Sequence, residues 1–261
     1  MLQPMATSAA PRLSVIVPCL NPGPTLATAL ESVWTQDDAP VEVIVIDGGS
    51  DDGTREWLEA RREQLAAFVS ARDGGVYQAM NKGVALAKGE WVYFLGADDQ
   101  LEGSKVLSEV MARASASDAD VLVGEIAYAD GRIYQLPARV NAIARNFVHH
   151  QGAFYRRQLF ADHGGFDSAL AVQADYAFNL RLRKADVRFI PLPLRITRCG
   201  TGGLSDGGAW RVYREEIQVR HAFFPGPRAW LWDALSIVRF VRKQVRRRLA
   251  KRDQNQAKSR A

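Results

Sequence analysis

The sequence contains few cysteines and no long apolar run, and both absences narrow its class. Cys19 and Cys199 are the only cysteines among 261 residues, which is too few for a disulfide framework and suits a reducing compartment. No stretch of about 18 apolar residues occurs, so we predict no membrane-spanning helix. Residues 1–10 lack the basic start and apolar centre of a signal peptide, and residues 1–11 are predicted to be disordered. We therefore expect a cytoplasmic protein.

Three common binding motifs are also absent. The sequence has no Gly-x-Gly-x-x-Gly loop and no Gly-Lys-Ser/Thr loop, so neither a dinucleotide cofactor nor a P-loop is supported. The adjacent pair His149-His150 lacks the i, i+4 spacing of a helical zinc site. The polar residues that follow the apolar runs are mostly acidic instead. A phosphate site of that kind implies that a metal ion neutralises the phosphates.

The charge is unevenly divided along the chain. The net charge is +5, but residues 228–261 contain 11 basic and 2 acidic residues, so the remainder is net negative. The basic character therefore belongs to the C-terminal segment, which argues against a nucleic-acid-binding fold and a nucleic-acid partner. We expect residues 209–250 to form a helical extension and residues 251–261 to form a disordered basic tail.

The extension has two possible roles. A predicted helix over residues 229–250 interleaves tryptophan and aliphatic residues with arginine. This pattern suits a helix lying on an anionic membrane surface, and predicts a peripheral protein on the inner face of the cytoplasmic membrane. The alternative is a helix packed on the body with a solvated charged face.

Strand and helix patterns alternate through the first hundred residues. Strands are predicted at 13–17, 41–46, 68–71 and 91–95, and helices at 25–34, 55–67 and 75–88. The second half is less regular, with predicted helices at 104–114 and 175–184, strands at 119–126, 152–155 and 187–190, and a hairpin turn at Asp130-Gly131. We therefore predict an α/β fold, with a Rossmann-type, mixed and mostly parallel sheet flanked by helices, for residues 12–208.

Polar side chains follow each of the first four predicted strands. They are Asn21, Asp47, Asp73 and the pair Asp98–Asp99. Because carboxyl ends of parallel strands share one edge of a sheet, we expect these groups to converge there. Oxygen ligands suit Mg²⁺ or Mn²⁺, so Asp98 and Asp99 are candidate metal ligands. The alternative is that one of them caps a helix beginning near Ser104.

Four ordered motifs carry a family resemblance. They are Ser14-Val-Ile-Val-Pro-Cys-Leu-Asn21, Val45-Ile-Asp-Gly-Gly-Ser-Asp-Asp-Gly-Thr54, Asp73-Gly-Gly-Val-Tyr-Gln-Ala-Met-Asn-Lys-Gly83 and Phe94-Leu-Gly-Ala-Asp-Asp99. Two further motifs are Gly164-Gly-Phe-Asp167 and Ala174-Asp-Tyr176. On these motifs the sequence resembles glycosyltransferase family 2 from Arg12 to Ile196. The resemblance implies a GT-A fold and inverting sugar transfer from a nucleoside-diphosphate sugar, with a UDP-sugar favoured. The implied acceptor is a hydroxyl of a glycan or lipid-linked molecule in cell-surface polysaccharide synthesis.

The resemblance also implies residue roles. It implies that Asp175 is the catalytic base and that Asp98 and Asp99 bind a metal ion, Mn²⁺ or Mg²⁺. The implied nucleotide contacts are Pro18, Cys19, Asn21, Asp47, Asp73, Lys82 and Asp98. The chain departs from the family at Gly96, where relatives often carry Asp, and at Ala174, where many carry Glu.

Each role has a structural alternative. Residues 47–54 could be a plain turn with a cap, Lys82 could lie on a solvated helix face, and Asp175 could cap the helix of residues 176–184. The pair His149-His150 resembles a stretch near the donor diphosphate or acceptor, and structural histidines are the alternative. The Gly-rich residues 199–208 are a candidate lid.

Two rival functions stay open at this level. The acidic edge would also serve a metal-dependent nucleotidyltransferase. The missing carboxylates at Gly96 and Ala174 keep a non-catalytic sugar-nucleotide or membrane-binding module in consideration.

Overall fold

Nine strands form one sheet in the computed structural model, which describes residues 12–37, 39–200 and 209–258, with side chains through Leu249. The strands are β1 Leu13–Cys19, β2 Val41–Asp47, β3 Ala67–Ser70, β4 Trp91–Phe94, β5 Gln100–Leu101, β6 Val121–Tyr128, β7 Ile133–Tyr134, β8 Ala153–Arg156 and β9 Phe189–Cys199. Their order is β3-β2-β1-β4-β8-β6-β9-β5, and β7 pairs with β6.

Helices cover both faces of this sheet. They are α1 Thr25–Trp34, α2 Thr54–Glu59, α3 Val76–Leu86, α4 Val106–Ser115, α5 Gln158–His163, α6 Ala174–Lys184, α7 Trp210–Phe223 and α8 Pro227–Lys258, with 3₁₀ turns at Arg62–Gln64 and His150–Gly152. Alternate side chains of a strand point to opposite faces, so β1 sends Ile16 into one apolar core and Val15 and Val17 into another. The first core contains side chains of α3, α5, α6 and α7, and the second contains side chains of α1, α2 and α4.

The predicted fold class is confirmed. Strands β3, β2, β1 and β4 are all parallel, and Asp47 pairs with both Cys19 and Ser70, so these three strands end level with one another. Beyond β4 the sheet is mixed, because β8 is antiparallel to β4 and β6 whereas β9 is parallel to β6. The predicted turn at Asp130-Gly131 does join β6 to β7.

Proline misled the prediction of two strand ends. Strand β1 continues through Pro18, where a missing N–H costs nothing because β4 has already ended opposite Ile16. Strand β9 runs for 11 residues rather than four and includes Pro191 and Pro193. Its pairing with β6 shifts register after Val123, and this irregularity accommodates the prolines.

Short elements near the acidic edge were also missed. Strand β5 begins directly after Asp99, and α4 begins later, at Val106, without any side-chain cap. The hypothesis that Asp98 or Asp99 caps this helix is therefore wrong.

The short helix α5 was not predicted. The helix predicted over residues 55–67 is shorter, because α2 ends at Glu59 and a 3₁₀ turn follows.

The C-terminal region consists of two helices, and the first is partly buried. Glu215, Val219 and Arg220 of α7 are buried in the described structure. Helix α8 is 32 residues long and ends at Lys258, beyond the predicted boundary at residue 250. Within the described part of the chain, none of the helices combines the length and apolar character that crossing a bilayer requires.

Candidate active site

Asp47 lies at the end of β2 and is fully buried. Its carboxylate accepts hydrogen bonds from the Ser50 backbone N–H, at 3.1 and 3.2 Å, and from the hydroxyls of Ser50 and Ser70. The Cys19 thiol also lies 3.9 Å from Oδ1 of Asp47, and burial, followed by the Asp47 charge, raises the pKa of that thiol. Asp47 and Cys19 therefore lie inside the structure, and their predicted nucleotide contacts stay predictions.

Asn21 joins the loop after β1 to the loop after β2. Its backbone is left-handed, with φ of 46°, a conformation that asparagine tolerates better than most residues. The Asn21 N–H donates to the Ser50 hydroxyl at 2.8 Å, and its side-chain oxygen accepts from the Asp51 N–H at 2.9 Å. These bonds combine the two loops into one wall beside buried Pro18. The turn chemistry expected for residues 47–54 is present, including Asp52 accepting from the Thr54 N–H.

Asp73 has an unsatisfied oxygen. Its Oδ1 accepts from the Gly75 N–H at 2.9 Å, whereas its Oδ2 is buried without a hydrogen-bond partner among the described residues. A Cβ built on Gly48 would lie 3.4 Å from both oxygens, so the absent side chain leaves the carboxylate room. A buried acceptor without a partner is costly and rare in folded proteins. Asp73 is therefore a good candidate for ligand binding.

Asp99 is buried beside Gly96 and Gly200. Only 4% of Asp99 is exposed, and its Oδ1 accepts from the Gly200 N–H at 2.9 Å. A Cβ on Gly96 would lie 2.5 Å from Oδ2 of Asp99 and 3.2 Å from Oδ1 of Asp98. The missing side chain at Gly96 thus gives the Asp99 carboxylate its space. Gly200 directly follows β9, so the hydrogen bond to Asp99 depends on the part of β9 that the sequence analysis did not predict.

The environment of Asp99 shifts its pKa upward. Burial raises the pKa of Asp99 and the charge of Asp98 adds to this, whereas the Gly200 N–H and the charge of His150 act in the opposite direction. Among the described residues no three His, Cys, Asp or Glu side chains are grouped to hold a metal ion. A pair of adjacent carboxylates nevertheless fits Mg²⁺ or Mn²⁺, which bind one or two carboxylates together with waters and phosphate oxygens. The donor set is thus compatible with the predicted metal.

Asp175 lies in the first turn of α6 and is 5% exposed. Its Oδ1 is 3.1 Å from the Tyr77 hydroxyl and accepts from the Tyr176 N–H at 2.8 Å. Its Oδ2 lies 3.3 Å from Nδ1 of His150. The residue at the cap position of α6 is Gln173, which makes no side-chain capping bond, so Asp175 is not the cap of residues 176–184.

His150 lies beside Asp175. It contacts Asp175 directly, and its charge lowers the pKa of Asp99 against the effect of burial. The backbone beneath it is fixed, because the hydroxyls of Tyr93 and Thr197 both donate to the Gln151 carbonyl at 2.8 Å. The structure therefore brings His150 and Asp175 into contact although they lie on different elements.

The neighbouring His149 has a structural position. Its Nδ1 lies 3.3 Å from the Tyr128 hydroxyl, and its ring packs against Tyr134. Burial lowers the pKa of His149 to about 4, so the ring is neutral at physiological pH. The structural alternative fits His149, whereas His150 lies in the candidate site.

Two predicted contributors are less well defined. Lys82 is half-buried on α3, so its predicted phosphate contact and the solvated-face alternative both stay open. The candidate lid of residues 199–208 falls mostly outside the described residues, which stop at Gly200 and resume at Ala209.

Sequence reasoning missed Tyr77 and Glu215. Tyr77 follows the Asp73-Gly-Gly turn on α3, and burial, followed by Asp175, raises its pKa well above the usual value. The helical pattern of the sequence predicts only that this tyrosine is a core residue. Its contact with Asp175 depends on how α3 and α6 lie in the fold. Glu215 of α7 hydrogen-bonds the turn before Asp175, although it lies in the region assigned to the extension.

Comparison with known proteins identifies the family of this chain. The model for Glycosyl transferase family 2 matches residues 14–172, which is more than half of the chain. The PGL/p-HBAD biosynthesis glycosyltransferase of Mycobacterium bovis is 35% identical over 182 residues, covering 66% of this chain and 70% of the relative. The succinoglycan biosynthesis protein ExoO of Rhizobium meliloti is 28% identical, covering 67% of this chain and 56% of ExoO.

Solved structures agree on the fold. S. aureus TarS 1-349 in complex with UDP-GlcNAc has a TM-score of 0.66 and 21% identity, covering 86% of this chain and 69% of that one. The mannosyltransferase PcManGT of Pyrobaculum calidifontis, in complex with GDP-Man and Mn²⁺, has a TM-score of 0.64 and 22% identity, covering 89% and 70%. The chain spans 41% of the longer TarS structure. These neighbours bear out the GT-A-like fold, and the family match over residues 14–172 shows that the chain belongs to glycosyltransferase family 2.

Proposed function

We propose that this protein is an inverting hexosyltransferase that moves a sugar from a nucleoside-diphosphate sugar, with UDP-sugar favoured, to a hydroxyl of a glycan or lipid-linked acceptor. The observation that carries the proposal is the buried Asp175 carboxylate in the first turn of α6, held between the Tyr77 hydroxyl and His150. The biosynthetic relatives in Mycobacterium bovis and Rhizobium meliloti support a role in cell-surface polysaccharide or glycoconjugate synthesis, and the TarS complex with UDP-GlcNAc supports a uridine nucleotide.

The donor would bind along the carboxyl ends of β1 to β4. Asn21 and Pro18 would form one wall, with Cys19 and Asp47 behind it, and the free Oδ2 of Asp73 would accept from the nucleoside. Lys82 would supply a point charge near the phosphates. The hydrogen bonds that join the loops after β1 and β2 preorganise this wall before the nucleotide arrives.

Asp98 and Asp99 would hold Mn²⁺ or Mg²⁺ together with diphosphate oxygens. The bound ion would stabilise the charge that develops on the departing nucleoside diphosphate. Because Gly96 has no side chain, the Asp99 carboxylate can lie against it, and the Gly200 N–H donates to this carboxylate. Asp99 thereby occupies the space that an acidic side chain at position 96 would need.

Asp175 would be the catalytic base. The acceptor hydroxyl loses its proton to the Asp175 carboxylate as its oxygen bonds to the anomeric carbon of the sugar. The bond from that carbon to the diphosphate oxygen breaks on the opposite face, and its electron pair leaves with the nucleoside diphosphate, so the configuration inverts. Tyr77 and His150 lie against the two oxygens of Asp175 and hold its orientation. Asp175 would act as the base alone, because the preceding residue is Ala174 and not an acidic residue.

Calorimetric titration tests the donor site. UDP and GDP are titrated with and without Mn²⁺ into the wild type and Asp99→Asn. We expect Mn²⁺-dependent binding that prefers UDP and is weakened in Asp99→Asn. Metal-independent binding would argue against the metal role, and a lack of binding to either nucleotide would overturn the donor assignment. Chromatography of products from a UDP-sugar and a glycan acceptor separates sugar transfer from nucleotidyl transfer.

The outward face of α8 supports contact with an anionic membrane surface, at the inner face of the cytoplasmic membrane. Exposed apolar residues recur at helical spacing, and Trp230 and Leu231 are 70% and 65% exposed. Exposed Arg242 and Arg246 flank this stripe, while the inner face packs Phe240 against Trp210 and Tyr213 of α7. An exposed apolar stripe bordered by arginine is complementary to anionic lipid headgroups.

Vesicle sedimentation tests this contact. We expect the protein to bind vesicles of phosphatidylcholine with phosphatidylglycerol more tightly than phosphatidylcholine alone. Each basic residue near an anionic surface contributes about 1 kcal/mol, so Arg242→Gln with Arg246→Gln should weaken binding about thirtyfold. The matched control changes to glutamine Arg55 and Arg113, which are also exposed but lie on α2 and α4. Equal binding by both double variants would contradict the membrane proposal.

A further inference from the structure

Glu215 makes an unusual set of bonds for a residue outside the family-matched segment. It lies on α7 and is 3% exposed. Its carboxylate accepts from the backbone N–H groups of Ala171, Val172 and Gln173 at 3.2, 2.8 and 3.2 Å. Arg211, one turn earlier on α7, donates to the same carboxylate at 2.8 Å. A buried carboxylate thus satisfies three consecutive backbone donors of another segment.

Those three residues form the turn that leads into α6. Helix α6 begins at Ala174, and Gln173 at its cap position makes no side-chain capping hydrogen bond. A negative charge is most favourable at this end of a helix. The N–H groups that Glu215 accepts precede Ala174, the first residue of α6, so Glu215 fixes the backbone just ahead of the helix and places a negative charge near the helix start, close to Asp175.

The same turn also reaches Asp175 by a second route. The carbonyl of Val172 lies 2.8 Å from the Tyr77 hydroxyl, which is 3.1 Å from Oδ1 of Asp175. The Gln173 side chain donates to the Val212 carbonyl of α7 at 3.3 Å and adds to the attachment. A shift of the turn would therefore move Tyr77 and Asp175 relative to each other.

We propose that Glu215 is a positioning residue for the catalytic base, so that helix α7 is part of the machinery of transfer. This proposal rests on the proposed function of Asp175. Glu215 fixes the turn of residues 171–173, the turn fixes the start of α6, and α6 carries Asp175. A base displaced by about 1 Å loses on the order of a hundredfold in rate, although the donor still binds.

Glu216 provides a matched control on the same helix. It is also buried, at 5% exposure, and it bonds Arg220 at 2.7 Å and accepts from the Ser236 hydroxyl at 2.6 Å. Its contacts join α7 to α8, and none of them reaches the turn before Asp175. A purely structural role for both glutamates predicts parallel losses of stability and activity.

The test compares Glu215→Gln, Glu215→Ala and Glu216→Gln in the full-length protein. It measures the thermal unfolding midpoint, the affinity for UDP, and kcat and KM for the donor. Glutamine keeps one acceptor oxygen, so we expect kcat to fall about tenfold in Glu215→Gln and about a hundredfold in Glu215→Ala, with donor KM within about twofold. Glu216→Gln should lose thermal stability while kcat stays within about twofold of the wild type.

The result that would overturn the proposal is a wild-type kcat in Glu215→Gln, or losses of kcat that follow the unfolding midpoint equally in Glu215→Gln and Glu216→Gln. If Glu215→Ala does not fold, the comparison of the two glutamine variants still decides. Asp175→Asn separates this failure from that of the proposed function. If Asp175→Asn has wild-type activity, the proposal that Asp175 is the catalytic base is refuted. If Asp175→Asn is inactive and Glu215→Gln is fully active, only the proposal that Glu215 positions the base is refuted.

Discussion

Gly96→Ala should disturb the candidate metal site through a single methyl group. Gly96 follows β4, and its φ is not among the positive values, so alanine causes no backbone strain there. The new Cβ would lie 2.5 Å from Oδ2 of Asp99, closer than such atoms approach in folded proteins. Since Asp99 is 4% exposed, its carboxylate has little free space to enter, and it must rotate away from the Gly200 N–H.

The magnitude follows from the bond that is lost. A hydrogen bond to a charged group contributes about 1.5–3 kcal/mol. Replacing glycine with alanine returns about 0.4–1 kcal/mol by restricting the unfolded chain. The free energy of unfolding should therefore fall by about 0.5–2.6 kcal/mol. If Asp99 binds the metal, its misorientation should weaken Mn²⁺-dependent UDP binding about ten- to a hundredfold.

A double-mutant cycle with Asp99→Ala tests the cause. Urea unfolding and calorimetric titration are measured on the wild type, the two single variants and the double variant. If Gly96→Ala acts through the Asp99 carboxylate, it should cost less than about 0.5 kcal/mol once that carboxylate is removed. Equal costs in both backgrounds, or unchanged Mn²⁺-dependent binding in Gly96→Ala, would refute the reasoning.

Three further predictions concern single residues. Asp175→Asn keeps the shape of the side chain but removes the base, so kcat should fall about 10²- to 10⁴-fold while UDP affinity stays within about twofold; calorimetry and initial rates check this. Asp73→Asn removes the charge at the unpartnered Oδ2, so the ligand-free protein should be at least as stable by thermal unfolding while UDP binding weakens about tenfold; a loss of stability without a loss of binding would contradict a ligand role. Burial lowers the pKa of His149 to about 4 from 6.5, so its contribution to stability is present above pH 6.5 and is lost as the pH falls towards 4. His149→Asn should lose less stability over that interval in urea unfolding, and identical pH profiles would show that His149 does not titrate there.

The sequence alone determined the parallel half of the sheet and the carboxylates at its edge. Apolar runs separated by amphipathic helices predict β1, α1, β2, α3 and β4 within a few residues, because their side-chain periods are local properties. The polar groups at 21, 47, 73 and 98–99 follow strand ends, and the parallel register brings those ends level. Family membership also follows from the ordered motifs.

Only the tertiary structure decided which groups meet. Strand β9 passes through Pro191 and Pro193, which read as breakers in isolation, yet it places Gly200 on Asp99. The contact between His150 and Asp175 joins segments on different elements, and Glu215 reaches the turn before Asp175 across more than 40 residues. Local propensity cannot encode these contacts, because they depend on which helix packs beside which strand end.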